Sequence, residues 1–366
     1  MGCGFAERSH ELARASAPYF DGIALSPGEH GATAVWSERG GLFTRELDRD
    51  GAPRGEARRI GQACPGGVAA TRARGRLRIA CGRPADVDRD RAGGVDVLDE
   101  SGREIMRFAS AFDRLDGVSI DADDERLAVA FRNADATTSR AMLAVVDRGA
   151  APELSTLSQP SHGAGAPSVR FIDGRWHVAW TESRYEGGAP LVQVLVQREG
   201  EAPRPSLRIR EIDGPVELTD DDGTPIVTLR DQRPAGASTR SFTGHLDEHL
   251  ALDEDHLRSP SRADGDGARP LVLRCDDARF SVSTRQSSRG VTMVAIRRLD
   301  ETLAHAEDEQ QIYEYHRRFE RAVAACVDGG VLVLVGERQT DLRSSPRLST
   351  YRLECGAGRA HDRTPH

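Results

Sequence analysis

The sequence predicts an all-β fold built from seven copies of one four-stranded unit, and two observations carry that reading. The first is an apolar anchor that recurs as Thr33-Ala-Val-Trp36, Arg78-Ile-Ala-Cys81, Ala128-Val-Ala-Phe131, His177-Val-Ala-Trp180, Ile226-Val-Thr-Leu229, Ser281-Val-Ser-Thr284 and Leu332-Val-Leu-Val335. Successive anchors are 45, 50, 49, 49, 55 and 51 residues apart. The second is that every anchor stands in the same order of short runs and turns. Short strands repeating with a period of about 40–50 residues are the signature of a β-propeller. The expected architecture is a single seven-bladed propeller, with blades near 18–61, 62–110, 111–159, 160–209, 210–258, 259–317 and 318–355.

Each unit opens on a short inner strand after Gly, Pro or a small residue: Gly22–Leu25, Gly67–Ala70, Gly117–Ile120, Ser168–Phe171, Pro215–Leu218, Pro270–Leu273 and Ala322–Ala325. A polar turn follows, such as Asp173-Gly174 or Asp220-Asp-Asp-Gly223, made of residues that tolerate positive φ. The anchor run is apolar and rich in β-branched residues, as a strand covered on both faces should be. The third run, for example Leu42–Leu47 or Leu191–Val196, alternates apolar and polar residues, the period-2 signal of a half-exposed strand. A second turn, such as Asp48-Arg-Asp-Gly51, leads to a polar outer strand.

The seventh unit lacks an outer strand, because only 355–366 remain after its third run. Residues 10–17 precede the first inner strand and sit where an outer strand sits elsewhere. The N-terminal segment is therefore expected to close the last blade and remove an exposed sheet edge.

Composition narrows the function. All 50 basic residues are arginine, against 58 acidic ones, for a net charge of −8. Without lysine there is no P-loop, Schiff base or protein-kinase site. The acidic balance and interleaved arginines argue against nucleic acid as a partner. Mean hydropathy is −0.51, and no run approaches the ~18 apolar residues of a membrane span.

The Val-x-Trp-plus-charge anchor, as in Val178-Ala-Trp180-Thr-Glu182, and the Leu-Asp-x-Asp-Gly turn at 47–51 resemble those of bacterial β-propeller repeat proteins. Only Trp36 and Trp180 keep the anchor tryptophan, and only the turn at 48–51 is complete. The Gly-His/Trp-Asp pairs of WD40 repeats, the kelch double glycine and the Ser-x-Asp-x-Gly-x-Thr-Trp box of sialidases are missing. The resemblance implies a fold and no activity.

Candidate ligand-binding residues follow the anchors: Glu38, Arg39, Arg83, Arg132, Glu182, Arg230, Asp231, Arg285, Glu337 and Arg338. Guanidinium groups beside carboxylates suit an anionic or sugar ligand, and the same residues serve equally as inter-blade ion pairs. The fourth unit is richest, with His162 in a glycine-rich approach loop and Tyr185 following Glu182. His245, His249 and His256 lie among acids, but on a strand, a turn and a further strand, so no metal or cofactor is expected. Asp48–Gly51 reads as a turn, being too poor in oxygen ligands for calcium.

Cys64 and Cys81 fall at one end of a hairpin, within disulfide reach; the remaining cysteines read as core or loop residues. A disulfide implies an oxidising compartment, and extracytoplasmic localisation is favoured. The N-terminus lacks a secretory pattern. Gly2-Cys3-Gly4 resembles the mature end of a bacterial lipoprotein, which makes Cys3 a candidate lipid anchor. With no nucleophile–base pair or cofactor loop in view, the sequence favours a non-catalytic binding or scaffold protein presenting a charged loop face, at the mouth of the propeller, to a protein or glycan. The alternative is a saccharide-acting enzyme, glycosidase or sialidase-like, using carboxylates and arginines of the same face.

Overall fold

The computed structural model describes residues 3–5, 9–17, 19–85, 92–110, 114–135, 137–147, 150–159, 162–186, 189–209, 216–231, 240–252, 271–286, 292–304, 309–313, 317–339 and 345–355. Its secondary structure there is all β, in seven antiparallel sheets, and among the described residues no helix is long and apolar enough to cross a membrane.

The chain begins with β1 (Cys3–Phe5) and β2 (His10–Arg14). Blade one is β3 (Gly22–Gly28), β4 (Gly31–Glu38), β5 (Gly41–Leu47) and β6 (Pro53–Gly61), and blade two is β7 (Val68–Ala73), β8 (Arg76–Arg83), β9 (Gly94–Leu98) and β10 (Glu104–Ala109). Blade three holds β11 (Arg114–Ala122), β12 (Arg126–Ala134), β13 (Ser139–Asp147) and β14 (Glu153–Thr156). Blade four has β15 (Gly163–Ala164), β16 (Ser168–Ile172), β17 (Arg175–Glu186), β18 (Ala189–Arg198) and β19 (Arg204–Ile209). Blade five has β20 (Glu217–Asp221), β21 (Thr224–Asp231) and β22 (Arg240–His245), extended by a Leu246–Leu252 bridge. Blade six is β23 (Leu271–Cys275), β24 (Ala278–Gln286), β25 (Thr292–Leu299) and β26 (Gln310–Tyr313). Blade seven is β27 (Arg317–Val327), β28 (Gly330–Gln339) and β29 (Arg347–Cys355).

The inner strands form a closed ring. Each of β3, β7, β11, β16, β20, β23 and β27 neighbours the next, and β27 returns to β3. Closure comes from the N-terminus: β2 pairs with β29 in the outer position of blade seven, His10 opposite Thr350 and Arg14 opposite Arg347. The expected clasp is present, and β1 prolongs it along the same edge of β29.

Packing follows from this geometry. Flat blades bury their faces against both neighbours, so the described core divides into seven clusters, one at each blade interface. Leu12, Phe20, Ile23 and Trp36 meet Leu332, Leu334 and Leu348 at the seam between blades seven and one. All eight residues of the anchor strand β4 are buried, which accounts for its apolar centre Ala34-Val35-Trp36, while Thr33, Ser37 and Glu38 are buried polar groups.

The turns repeat as well. Between inner and anchor strands the backbone turns through Arg74-Gly75, Asp173-Gly174, Asp222-Gly223 and Asp328-Gly329, all at positive φ, the geometry of a two-residue hairpin loop. Between third and outer strands, Asp48, Asp99, Asp247 and Asp300 each accept main-chain N–H groups two and four residues on through one carboxylate oxygen. The left-handed position falls on Gly51, Gly102, Leu250 and Leu303. Both leucines are buried there, so burial of the side chain, about 2 kcal/mol, offsets the strain of their backbone.

Two disulfides link described residues. Cys64–Cys81 has an S–S distance of 2.12 Å. Cys275–Cys326, at 2.08 Å, joins the inner strand of blade six to that of blade seven. This corrects the sequence reading of Cys275 and Cys326 as core or loop residues: on neighbouring inner strands, residues one repeat apart come level.

Candidate functional site

Because neighbouring strands of a blade are antiparallel, the C-terminal end of each anchor strand lies at the same face as the N-terminal end of its inner strand. Apart from Arg39, in the turn after β4, the candidate residues lie towards that face on the second strand of each blade, one strand out from the inner ring. Several belong to the anchor strands themselves, which run further than the sequence indicated: β12 continues to Ala134, β17 to Glu186 and β28 to Gln339.

Glu38, Glu182 and Glu337 are buried. Glu38 Oε2 accepts the main-chain N–H of Ser16 at 2.8 Å, and Glu182 Oε1 accepts that of Gln159 at 3.1 Å. Each carboxylate thereby fastens the segment entering its blade to the anchor strand. Glu337 Oε1 accepts from the Tyr351 hydroxyl at 2.7 Å.

The arginines divide in the same way. Arg83 pairs with buried Asp96 at 2.6 Å, and Arg107 approaches the other oxygen of Asp96 at 3.4 Å. Arg132 makes two bonds to Asp116, its register partner on β11, at 2.6 and 2.5 Å. Arg39 is exposed in the turn after β4, and Arg338 is half-buried on β28. Tyr185, Arg230, Asp231 and Arg285 are placed by the backbone at the ends of β17, β21 and β24; their side chains lie outside the described part.

Blade four departs from the repeat. Its anchor strand is 12 residues long, against 8 in β4 and β8. The extra length pairs with β15, an added strand in which Gly163 faces Ser183 and Ala164 faces Glu182. This brings His162 beside Glu182: Nδ1 lies 2.7 Å from Oε2. Trp180 donates its indole N–H to Glu182 Oε1 at 3.0 Å. Three donors therefore surround one buried carboxylate. Glu182 is the fixed partner, and the imidazole is the group oriented by it. His162 retains a small exposure, 13% of its side chain, and no described residue bonds its Nε2.

Of the histidine cluster, His245 Nε2 lies 2.9 Å from Asp221 Oδ2, His249 is exposed in a turn, and His256 lies outside the described residues. Burial raises the Asp221 carboxyl pKa, but hydrogen bonds from His245 and Arg279 outweigh it and hold it below the usual carboxylate value. Among the described residues no three groups gather as a metal site.

Sequence reasoning missed Asp96 and Asp116 as arginine partners. Each stands on a strand adjacent to its arginine, and the register that aligns them carries no compositional signal. The glutamate two residues after each anchor tryptophan, in Trp36-Ser-Glu38 and Trp180-Thr-Glu182, was the legible sign of a buried role.

No protein-family model matches the chain, and no curated protein matches it in sequence. In three dimensions it is similar to polysaccharide lyase Uly1, with 8% identity, covering 93% of this chain and 91% of that one, TM-score 0.56. It is also similar to a subtype N11 neuraminidase-like protein of a flat-faced bat isolate from Peru, with 10% identity, 98% and 94% coverage and TM-score 0.52. At such identity the likeness is one of fold. The chain is a seven-bladed β-propeller.

Proposed function

We propose that this propeller acts on a saccharide at the end of blade four where β15 pairs with β17, with His162 as its acid–base group. The observation that carries the reading is the 2.7 Å contact of His162 Nδ1 with buried Glu182. A carboxylate on Nδ1 holds the proton there and leaves Nε2 as the basic nitrogen. The extended hairpin and added strand occur at this blade, and deviations from a repeat collect on binding faces. Two structural neighbours are by name a polysaccharide lyase and a neuraminidase-like protein, which favours the saccharide-acting alternative over a non-catalytic scaffold.

The chemistry that fits best is elimination. Hydrolysis by paired carboxyl groups needs two of them facing one glycosidic bond. Glu38, Glu182 and Glu337 are buried and engaged with main chain, indole, imidazole or phenol. An imidazole base suits removal of the C5 proton of a uronate residue. The C–H electrons form the C4–C5 double bond, the C4–O glycosidic bond breaks, and the departing oxygen takes back the proton from His162 Nε2. The two disulfides favour an extracytoplasmic setting for this activity.

The test is incubation with a panel of uronate-containing and neutral polysaccharides. Absorbance of unsaturated uronate and release of reducing ends report turnover, and calorimetry reports binding. Turnover that His162→Ala abolishes without lowering Tm supports the reading. Binding without turnover returns the protein to the glycan-binding scaffold class, and neither binding nor turnover on any saccharide rejects both.

A further inference from the structure

The closing blade holds one more pair of residues brought level by the fold. β1 and β2 lie end to end along one edge of β29. His10–Arg14 run opposite Thr350 to Arg347, while Cys3, Gly4 and Phe5 run opposite Cys355, Glu354 and Leu353. Cys3 and Cys355 are thus direct register partners in an antiparallel pair. Such partners have Cα atoms about 4.5–5.5 Å apart, inside the ~4.4–6.8 Å range a disulfide spans. The Cys64–Cys81 and Cys275–Cys326 bonds have Cα–Cα distances of 5.2 Å each.

From this register we infer that Cys3 and Cys355 are joined by a third disulfide, which seals the ring covalently between the first and last strands of the chain. β1 is only three residues long, and a main-chain ladder that short frays readily at a sheet edge. A covalent bond at its end prevents the clasp from peeling off β29. Each thiol loses a proton, and the pair passes two electrons to a disulfide of the thiol–disulfide exchange type, which is reduced to a dithiol. The same oxidant class serves the two other bonds. A sulfur held in this bond is not free to carry a thioether-linked lipid, so the cross-link and a lipid anchor at Cys3 exclude one another.

The test uses the full chain made in an oxidising compartment, alkylated without reduction, digested and mapped by mass spectrometry. The expected product is a Cys3 peptide joined to a Cys355 peptide. Alkylated thiols at these positions, a diacylglyceryl group on Cys3, or pairing with another cysteine overturns the inference. A mutant cycle gives a second readout. Cys3→Ser and Cys355→Ser should each lower Tm by several degrees, and the double variant should be no worse than either. Additive losses, or no loss in any of the three, also overturn it.

Discussion

Asp121 accepts the main-chain N–H of Phe171 at 2.9 Å, across a blade boundary and 50 residues further along the chain. The other oxygen of Asp121 accepts from Thr71 in the preceding blade at 3.3 Å, also 50 residues away. Ser119 Oγ accepts from Val169 N at 3.2 Å and Ser168 Oγ from Leu218 N at 3.0 Å in the same manner. Inner strands are too far apart to share a main-chain ladder, so short polar side chains satisfy the N–H groups left over. Asp121→Ala should lower stability by about 1–3 kcal/mol. Asp121→Asn, which keeps an acceptor for Phe171, should lose less; urea unfolding compares the two.

The clasp is the second point of leverage. Leu12 and Ala15 are buried in the seam cluster, and Glu11 bonds Arg347 at 2.8 Å. Deleting residues 1–18 uncovers the edge of β29 and opens this cluster, so Tm should fall by several degrees. An unchanged scanning-calorimetry profile would count against the clasp as a stabilising element.

Cys275–Cys326 bridges two blades with a sequence separation of 51, and Cys64–Cys81 has a separation of 17. Loop-closure entropy assigns the first about 4 kcal/mol and the second about 3 kcal/mol. Paired Cys→Ser variants should lower the denaturant midpoint in that order, with the larger loss at the blade six–seven boundary.

Two glycines separate conformational strain from steric conflict. Gly174 has φ +69 and nothing within 4 Å of an added Cβ, while at Gly102, φ +82, that atom would meet the Ile60 carbonyl oxygen at 1.7 Å. Gly174→Ala should cost about 1 kcal/mol, the backbone penalty alone. Gly102→Ala must displace β6 and should cost more than twice as much in equilibrium unfolding.

Acid should weaken the fold in two stages. Burial disfavours the imidazolium of His177 and lowers its pKa below the ordinary 6.5, helped by Arg198 and Arg175 and opposed by its bond to the Arg175 carbonyl. Below about 6.5 the unfolded chain binds the proton more readily than the folded one, so stability falls as pH drops towards the folded pKa. Asp99 and Asp135 are held at about 2, the first chiefly by the Ser101 hydroxyl and the second by the Thr137 main-chain N–H. Their contribution is present above the unfolded value of 3.8 and is lost as pH falls through about 2. Tm measured against pH should show both limbs, and His177→Gln should flatten the upper one.

Much of this molecule was legible because its information is local and repeated. The blade count, the anchor strands and the Asp-Gly turns each depend on a few adjacent residues, and seven copies average away the noise of any one. The candidate pattern at the seven equivalent positions after the anchors was legible only as positions. Whether Glu38 faces water or accepts the Ser16 N–H depends on a segment 22 residues earlier, and whether Arg132 is available depends on Asp116 across the hairpin. Glu182 and His162 are 20 residues apart, and nothing in their spacing fixes an imidazole against a buried carboxylate.

By itself the chain determined a closed ring of seven sheets, its N-terminal closure and the hairpin that brings Cys64 to Cys81, because strand periodicity and turn chemistry act over short distances. Tertiary structure alone decided which charged groups are spent inside and which side chains from neighbouring blades meet. Those outcomes depend on register and on the wedge between blades, where residues one repeat apart in the chain, such as Cys275 and Cys326, become neighbours in space.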